Sequence, residues 1–235
     1  MLKKILITGS ASGIGNFIAR ELFHKGHSII GVDIQNDPTL PESITQKICN
    51  LSSPKDTFEC FSDISHIDCA INCAGISGIR KPIEKLSTKD LSDTWEKVFL
   101  SCFNSLKYEV ELIKRNNLQN GKIINIASFT ASVGRQEGLP YSAAKAAIVN
   151  MTKVAAAELA PNILVNSVSP ATIDTPMIRT KHNGNLPDYS TTYPSGSCGS
   201  PMDVYSAVEM FLKNDFITGY DLLMDGGYSE IFSLK

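Results

Sequence analysis

A glycine-spaced turn between an apolar run and an amphipathic stretch constrains this chain more than any other feature. Ile5 to Thr8 has the continuous apolar character of a buried strand, and Ile14 to Lys25 has the periodicity of a helix. Three glycines lie in or beside the turn between them, Gly9, Gly13 and Gly15. Such a turn lets the backbone approach a pyrophosphate closely, and the helix that follows offers it free N–H groups and a positive dipole end. The pattern indicates dinucleotide binding; a glycine turn that only packs the helix against the strand is the alternative.

Beyond this turn, short apolar runs alternate with longer helical patterns. Six further runs are predicted to be strands: Ile29 to Asp33, Lys47 to Cys49, Asp68 to Asn72, Lys122 to Ile126, Ile163 to Ser167 and Asp221 to Asp225. Further helices are predicted over Leu91 to Lys114, Tyr141 to Leu159 and Val204 to Leu212. This alternation is typical of repeated βαβ units in a parallel sheet. With 235 residues and neither an internal repeat nor a low-complexity linker, residues 1–235 are expected to form a single domain.

Two segments lack a regular pattern. Gln35 to Gln46 contains prolines and little periodicity, so the crossover after the second strand should be truncated or irregular. Pro176 to Pro201 is rich in glycine, proline, serine, threonine and asparagine and is predicted to be a long mobile loop. Loops of this length inside compact domains are usually functional lids or disordered. We expect residues 176–201 to form a substrate-binding loop.

The composition argues against several classes of partner. The formal net charge is −2, so there is no excess of positive charge to hold a nucleic-acid backbone. The sequence contains no run of about 18 apolar residues, so a membrane span is not predicted. The apolar run from Ile5 stops at Thr8-Gly9, which is too short for a signal peptide. None of the six cysteines forms a C-x-x-C pair or a metal-like spacing. We expect a cytoplasmic protein with reduced cysteines and without nucleic-acid, membrane or metal partners.

Asp33 ends the second predicted strand, where a carboxylate can accept hydrogen bonds from the ribose hydroxyls of an adenosine. The same negative charge repels a 2′-phosphate, and no arginine or lysine in the glycine turn or just after Asp33 counters it. NAD(H) is therefore favoured over NADP(H) as the cofactor. An aspartate that serves only as a turn or helix-capping residue is the alternative.

Tyr141 and Lys145 stand on one face of a predicted helix. A free tyrosine has a pKa of about 10, too high for proton transfer near neutrality. A neighbouring lysine cation, together with the positive charge of an oxidised nicotinamide, stabilises the tyrosinate form. The pair predicts a general acid/base, although the spacing alone also fits an exposed pair on a helix surface.

The motifs of this chain, taken together, resemble those of the short-chain dehydrogenase/reductase family from Leu2 to Tyr228. In order they are Thr8-Gly9-x-x-x-Gly13-x-Gly15, Asn72-Cys73-Ala74-Gly75, Ser128, the Tyr141/Lys145 pair, Asn166-Ser167-Val168-Ser169-Pro170, Thr175-Pro176-Met177, and Thr218-Gly219 with Asp225-Gly226-Gly227. Each motif alone is permissive, whereas the whole set in register is highly specific.

The resemblance implies a Rossmann-type, doubly wound parallel sheet of about seven strands with helices on both faces. It implies an oxidoreductase that moves a hydride between NAD(H) and an alcohol or carbonyl substrate. Tyr141 would be the general acid/base, Lys145 would tune it and bond the nicotinamide ribose, and Ser128 would polarise the substrate oxygen. Homodimers or homotetramers formed through the two long helices are implied as well.

The resemblance also implies a set of cofactor-binding residues: Gly9, Ser12, Gly13, Ile14, Gly15, Asp33, Ile34, Asn50, Leu51, Asn72, Ala74, Gly75, Ile126, Tyr141, Lys145, Pro170, Ile173 and Thr175. Among them, Asn50 and Leu51 would lie beside adenine, and Asn72, Ala74 and Gly75 would line the adenosine side of the cleft. Ile173 and Thr175 would hold the carboxamide and so select the nicotinamide face.

Three departures from the family pattern stand out. Cys102 occupies the position, counted from Trp95, where the family carries a helix-kinking asparagine that organises a water beside the lysine. A thiol is a poor substitute for a carboxamide, and Asn104 lies roughly on the opposite helix face. Pro170-Ala171 replaces the family's Pro-Gly, and the crossover after Asp33 is short. A catalytically weak module that senses redox state or docks a partner is therefore the alternative to an active enzyme.

The substrate is not specified by these motifs. Its surroundings are expected to come from Ser77 to Lys81, Thr130 to Leu139 and Met177 to Gly199. These segments carry several cations and tyrosines, Arg80, Arg135, Arg179, Lys181, His182, Tyr189 and Tyr193. The set suggests a polar or anionic small molecule, with solvated loop residues as the alternative.

Overall fold

The computed structural model describes residues 2–115 and 120–230. Its centre is one parallel sheet of seven strands in the order β3-β2-β1-β4-β5-β6-β7. The strands are β1 (Lys4–Thr8), β2 (Ser28–Asp33), β3 (Thr45–Ile48), β4 (Cys69–Asn72), β5 (Gly121–Ile126), β6 (Ile163–Pro170) and β7 (Asp221–Met224). The seven predicted strands are therefore confirmed, with small shifts at their ends.

Helices cover both faces of the sheet, as expected. They are α1 (Gly13–His24), α2 (Pro54–Ser62), α3 (Thr88–Trp95), α4 (Ser101–Arg115), α5 (Leu139–Leu159), α6 (Pro176–Lys181) and α7 (Pro201–Lys213). Ile5 and Ile7 of β1 pack in one buried cluster with residues of α1 and α7. Leu6, which points to the other face, packs in a second cluster with residues of α2, α4 and α5. Because both faces are covered, β4, β5 and β6 are buried along their whole length.

The order of the strands reverses between β1 and β4. The chain moves outward from β1 to β2 and β3, then returns to pair β4 with the other side of β1, where Thr8 lies in register with Asn72. Crevices outside the carboxyl ends of the strands at such a switch point are the usual ligand sites of open α/β sheets. The topology therefore predicts a ligand site between the loops that follow Thr8 and Asn72.

The predicted helix from Leu91 to Lys114 is interrupted. A π-helical turn at Glu96–Leu100 separates α3 from α4, so the element holds one extra residue per turn there. The helix also starts earlier than predicted, because Ser87 and Asp90 form a capping box around the first turn. An analogous box between Ser200 and Asp203 starts α7 earlier than the predicted Val204.

Two helices were missing from the prediction. α2 is short, and Ser53 caps it by accepting a hydrogen bond from the Asp56 N–H, with Pro54 in the first turn. α6 lies inside the segment predicted to be a continuous loop, 176–201, where Pro176 opens the helix after Thr175. The segment from Gln35 to Gln46 contains no helix, as predicted. In residues 2–115 and 120–230, no helix combines the length and apolar character needed to cross a membrane.

Candidate active site

A cleft of about 590 Å³ opens at the carboxyl ends of the central strands. It contains every residue of the predicted catalytic trio, and every predicted cofactor-binding residue except Asn72. The loops after β1, β2, β4, β5 and β6 each contribute to its wall. One continuous cavity therefore joins the glycine turn to the predicted catalytic residues.

Two glycines of the turn, Gly9 and Gly15, have no room for a side chain. Gly9 has a φ of +70°, and a Cβ added there would lie 2.8 Å from the backbone nitrogen of Ala74. A Cβ on Gly15 would lie 2.2 Å from the carbonyl oxygen of Gly9. Gly13 also has a positive φ, and it faces the side chain of Thr175, 3.9 Å from a Cβ placed on it. These contacts bring the start of α1 against the loops after β4 and β6, and at the three glycines the cleft is bordered by backbone that a pyrophosphate could approach closely.

Asp33 ends β2, beside the glycine turn and at the end of the cleft away from Tyr141. One carboxylate oxygen, Oδ2, accepts a hydrogen bond from the backbone N–H of Ala11 at 3.0 Å, which ties the glycine turn to β2. Asp33 thus has the turn-stabilising role that was the alternative interpretation, and it also lines the cleft beside Ile34, Asn50 and Leu51. Because a carboxylate has several acceptor positions, the two roles are compatible.

Lys145 is fixed by the sheet below it. The residue is 5% exposed, and its Nζ donates a hydrogen bond to the carbonyl oxygen of Ile126 at 2.7 Å. The ammonium lies 5.7 Å from the centre of the Tyr141 ring. An ammonium has three donors, so after the bond to Ile126 it retains hydrogens for the cleft. The predicted arrangement of the pair on one helix face is confirmed, and the lysine is buried rather than exposed.

Ser128 follows β5 and borders the same cavity. Its Oγ accepts hydrogen bonds from the backbone N–H and the hydroxyl of Thr130, at 3.3 and 3.1 Å. With its lone pairs engaged in this way, the hydroxyl hydrogen of Ser128 is the atom left to donate to a ligand oxygen. Across the cleft, Ile173 is nearly buried and Thr175 precedes α6.

Asn72 does not line the cleft. It is 3% exposed and lies behind the cleft wall, where its Nδ2 donates to Glu109 Oε2 at 2.9 Å and to Asn125 Oδ1 at 3.0 Å. Its own Oδ1 accepts from Thr8 Oγ1 at 3.3 Å. The side chain is drawn into the interior because these buried polar groups satisfy it there. The prediction that Asn72 lines the adenosine side of the cleft is corrected to a buried position among Thr8, Glu109 and Asn125.

Cys102 lies on the buried side of α4, directly after the π-helical turn. Its Sγ donates to Asn125 Oδ1 at 3.5 Å, and burial raises the pKa of the thiol to about 12. Asn104 points elsewhere, donating to the carbonyl oxygen of Leu51 at 2.8 Å. As expected, Asn104 does not take the place of the missing asparagine. Asn125 cannot do so freely either, because its amide also donates to Thr152 Oγ1.

Glu109 is a buried acid that the motifs gave no reason to select. It is 0% exposed on α4, and burial raises the pKa of its carboxyl to about 8, a shift that the hydrogen bond from Asn72 opposes. Its second oxygen, Oε1, has no hydrogen-bond partner within the described residues. The signal that could have found it is helical spacing: Glu109 is on the face of Cys102, Leu106 and Ile113, all buried.

Two predicted substrate-facing residues have internal partners instead. Tyr193 is buried, and its hydroxyl donates to Thr172 Oγ1 at 2.8 Å. Arg179 forms a two-bond ion pair with Asp174, at 2.7 and 2.6 Å. By contrast, Arg80, Arg135, Lys181, His182 and Tyr189 line the cleft.

Comparison with known proteins agrees with this geometry. A family model described as enoyl-(acyl carrier protein) reductase matches residues 9–229. The NAD-dependent glycerol dehydrogenase of Listeria innocua is 31% identical, over 97% of this chain and 94% of that protein. The solved aldohexose dehydrogenase of Thermoplasma acidophilum superposes with a TM-score of 0.90 at 27% identity, covering 100% of this chain and 98% of the other. The 3-ketoacyl-(acyl-carrier-protein) reductase of Brucella melitensis, solved with NADH, gives 0.86 at 25% identity, with coverages of 97% and 98%. The chain therefore belongs to the short-chain dehydrogenase/reductase family and is an oxidoreductase.

Proposed function

We propose that this protein is an NAD(H)-dependent oxidoreductase of alcohol and carbonyl groups, with Tyr141 as general acid/base. The observation that supports this most directly is the convergence of Ser128, Tyr141 and Lys145 on a cleft whose far end carries Asp33. The relatives named above are two dehydrogenases of hydroxyl compounds and a reductase of a ketone. A bound nicotinamide would supply or accept the hydride.

The residues of the chain would then handle the proton. In the reducing direction, Tyr141 Oη gives its proton to the carbonyl oxygen as that oxygen gains negative charge, and in the oxidising direction it takes the proton from the hydroxyl. Ser128 donates a hydrogen bond to the same oxygen and stabilises its charge. Lys145, anchored on Ile126, stabilises the tyrosinate that forms. The glycine turn would hold the pyrophosphate, and residues 176–201, with α6, would cover the substrate.

The experiment that tests this function combines binding with turnover. Purified protein should quench or enhance NADH fluorescence on titration, and NADH absorbance should fall when ketones from a chemically varied panel are added. A protein that binds NADH but oxidises it with no member of the panel would favour the alternative, a redox-sensing module. Cys102 supports that alternative, because a thiol stands where the family carries the asparagine that organises a water beside the lysine. The thiol contacts Asn125 instead.

Asp33 should determine the choice between the two dinucleotides. Asp33→Asn removes the charge that repels a 2′-phosphate, and the amide oxygen can still accept the hydrogen bond from Ala11. Because that repulsion is lost, we expect the ratio of kcat/KM for NADH to that for NADPH to fall by at least about 10-fold. This factor corresponds to a loss of about 1.4 kcal/mol of discrimination between the two cofactors. Steady-state kinetics with both cofactors measures it. An unchanged ratio would show that Asp33 serves the turn alone.

We propose a homodimer or homotetramer built on α4 and α5, where Phe103 and Val154 expose apolar surface, 44% and 50% respectively. Light scattering on the purified protein measures the state. The six cysteines are all free, which fits a reducing, cytoplasmic location.

A further inference from the structure

The substrate end of the cleft carries three cations from three different segments. Arg80 lies in the loop after β4, Arg135 in the loop before α5, and Lys181 at the end of α6. We call these three residues the cationic mouth. In residues 2–115 and 120–230, none of the three forms an ion pair with a carboxylate. This absence distinguishes them from Arg179, on the same short helix as Lys181, which is paired with Asp174.

Hydrogen bonds hold the first two segments side by side. Arg80 Nη2 donates to the carbonyl oxygen of Gln136 at 3.5 Å, and the backbone N–H of Lys81 donates to the carbonyl oxygen of Glu137 at 3.2 Å. Arg80 and Arg135 are thus carried by adjoining loops. Lys181 lines the same cleft as Arg80 and Arg135. Partial burial and the charges of Arg135 and Arg80 lower the pKa of its ammonium.

The same loops contact the proposed general acid/base. A Cβ added to Gly78, in the loop of Arg80, would lie 3.0 Å from the Cβ of Tyr141. Arg135 lies in the loop that leads into the helix of Tyr141. The cationic mouth therefore borders the reacting end of the cleft and not the adenine end, where Asp33 stands. Among the described residues that line the cleft, Asp33 is the one carboxylate.

Like charges that converge without a counterion repel each other, and a bound anion relieves the repulsion. We propose that the cationic mouth binds an anionic group, a carboxylate or a phosphate, on the substrate whose carbonyl or hydroxyl meets Tyr141. Arginine is suited to this task because its planar donors match both groups. The inference rests on the proposed function and specifies its substrate class: a small molecule with a reactive oxygen at one end and a negative charge at the other.

The test uses pairs of carbonyl compounds that differ in charge. One pair is acetoacetate and ethyl acetoacetate, for a carboxylate; the other is dihydroxyacetone phosphate and dihydroxyacetone, for a phosphate. Each compound is titrated into the protein–NADH complex, and its affinity and its kcat/KM are measured. The variant combines Arg80→Gln, Arg135→Gln and Lys181→Gln. Lys114→Gln is the matched control, since it removes an exposed cation at the far end of α4.

We expect the anion of at least one pair to bind at least about 10-fold more tightly than its neutral partner, and this preference to fall about 10-fold or more in the combined variant. Lys114→Gln should keep the preference. On the unaltered protein, added salt should weaken the binding of the anion more than that of the neutral compound. This tests the same charge effect without a mutation.

Three results would overturn the inference. The first is that neither anion binds more tightly than its neutral partner, and the second is that the preference survives in the combined variant. The third is that the combined variant weakens NADH binding as much as anion binding, which would assign the cations to the pyrophosphate. Failure of the proposed function itself looks different. NADH then does not bind, or the complex oxidises NADH with no carbonyl compound of either charge, and the inference falls with it.

Discussion

Replacing Tyr141 with phenylalanine is expected to lower kcat by about 10²–10⁴-fold, the range that a positioned general acid contributes. The phenylalanine ring would fill the same space over Lys145, so the cleft keeps its shape and only the proton donor is lost. NADH affinity should therefore stay within about 3-fold of the original value, because each factor of 10 in affinity requires about 1.4 kcal/mol of lost contact.

The measurement pairs steady-state kinetics on the best ketone with a fluorescence titration of NADH. Tyr220→Phe is the matched control, since Tyr220 is half exposed and does not line the cleft. A Tyr141→Phe protein that keeps most of its turnover would remove Tyr141 from the mechanism. A protein that loses NADH binding as well would show instead that the hydroxyl supports the architecture of the cleft.

The parts of this molecule that were predictable are those in which local sequence and tertiary structure require the same thing. The turn from Gly9 to Gly15 is one case, because its glycines are needed for the backbone contacts with Ala74 and within the turn itself. The alternation of apolar runs with helical periods is another, since it reflects burial on both faces of a parallel sheet. Tyr141 and Lys145 share a helix face by spacing alone.

The parts that were not predictable depend on contacts between distant segments. Asn72 lies behind the cleft because it donates hydrogen bonds to Glu109 of α4 and Asn125 of β5. No local sequence pattern predicts these contacts between distant segments. The π-helical turn before Cys102 likewise has no sequence signature of its own. α2 was missed because its helix is short and polar, although Ser53 and Pro54 do mark its start.

The buried network also bears on how Lys145 is held without the family asparagine. Every polar atom of the Asn125 side chain is engaged, with Asn72, Cys102 and Thr152. The carboxamide nearest to Cys102 is therefore a structural group. Lys145 is nevertheless held firmly by the carbonyl oxygen of Ile126, a backbone bond that does not depend on the residue at 102. The lysine position that the proposed mechanism uses is thus maintained without the family asparagine.

The same network gives the second large effect, on the pH dependence of stability. Burial raises the pKa of Glu109 to about 8 in the folded protein, from an ordinary value of 4.5. Below the lower value both states carry the proton, and the stabilising contribution of the neutral acid is complete. As the pH rises toward the higher value, only the unfolded state releases the proton, so stability falls, by up to about 1.4 kcal/mol per pH unit for one proton. Above the higher value both states are ionised and the loss is constant.

Glu109→Gln should remove this loss, because the amide keeps an acceptor for Asn72 and cannot ionise. We expect the variant to be more stable than the original by about 3 kcal/mol at about pH 8.5, and the difference to shrink or reverse at about pH 5.5, where the neutral acid fits as well as the amide. Urea unfolding at several pH values and one protein concentration measures both curves. Glu111→Gln, at an exposed position on the same helix, should shift neither slope nor stability appreciably. If the curves of Glu109→Gln and the original protein run parallel, Glu109 is already ionised in the fold, and its Oε1 must have found a partner that this arrangement of side chains does not provide.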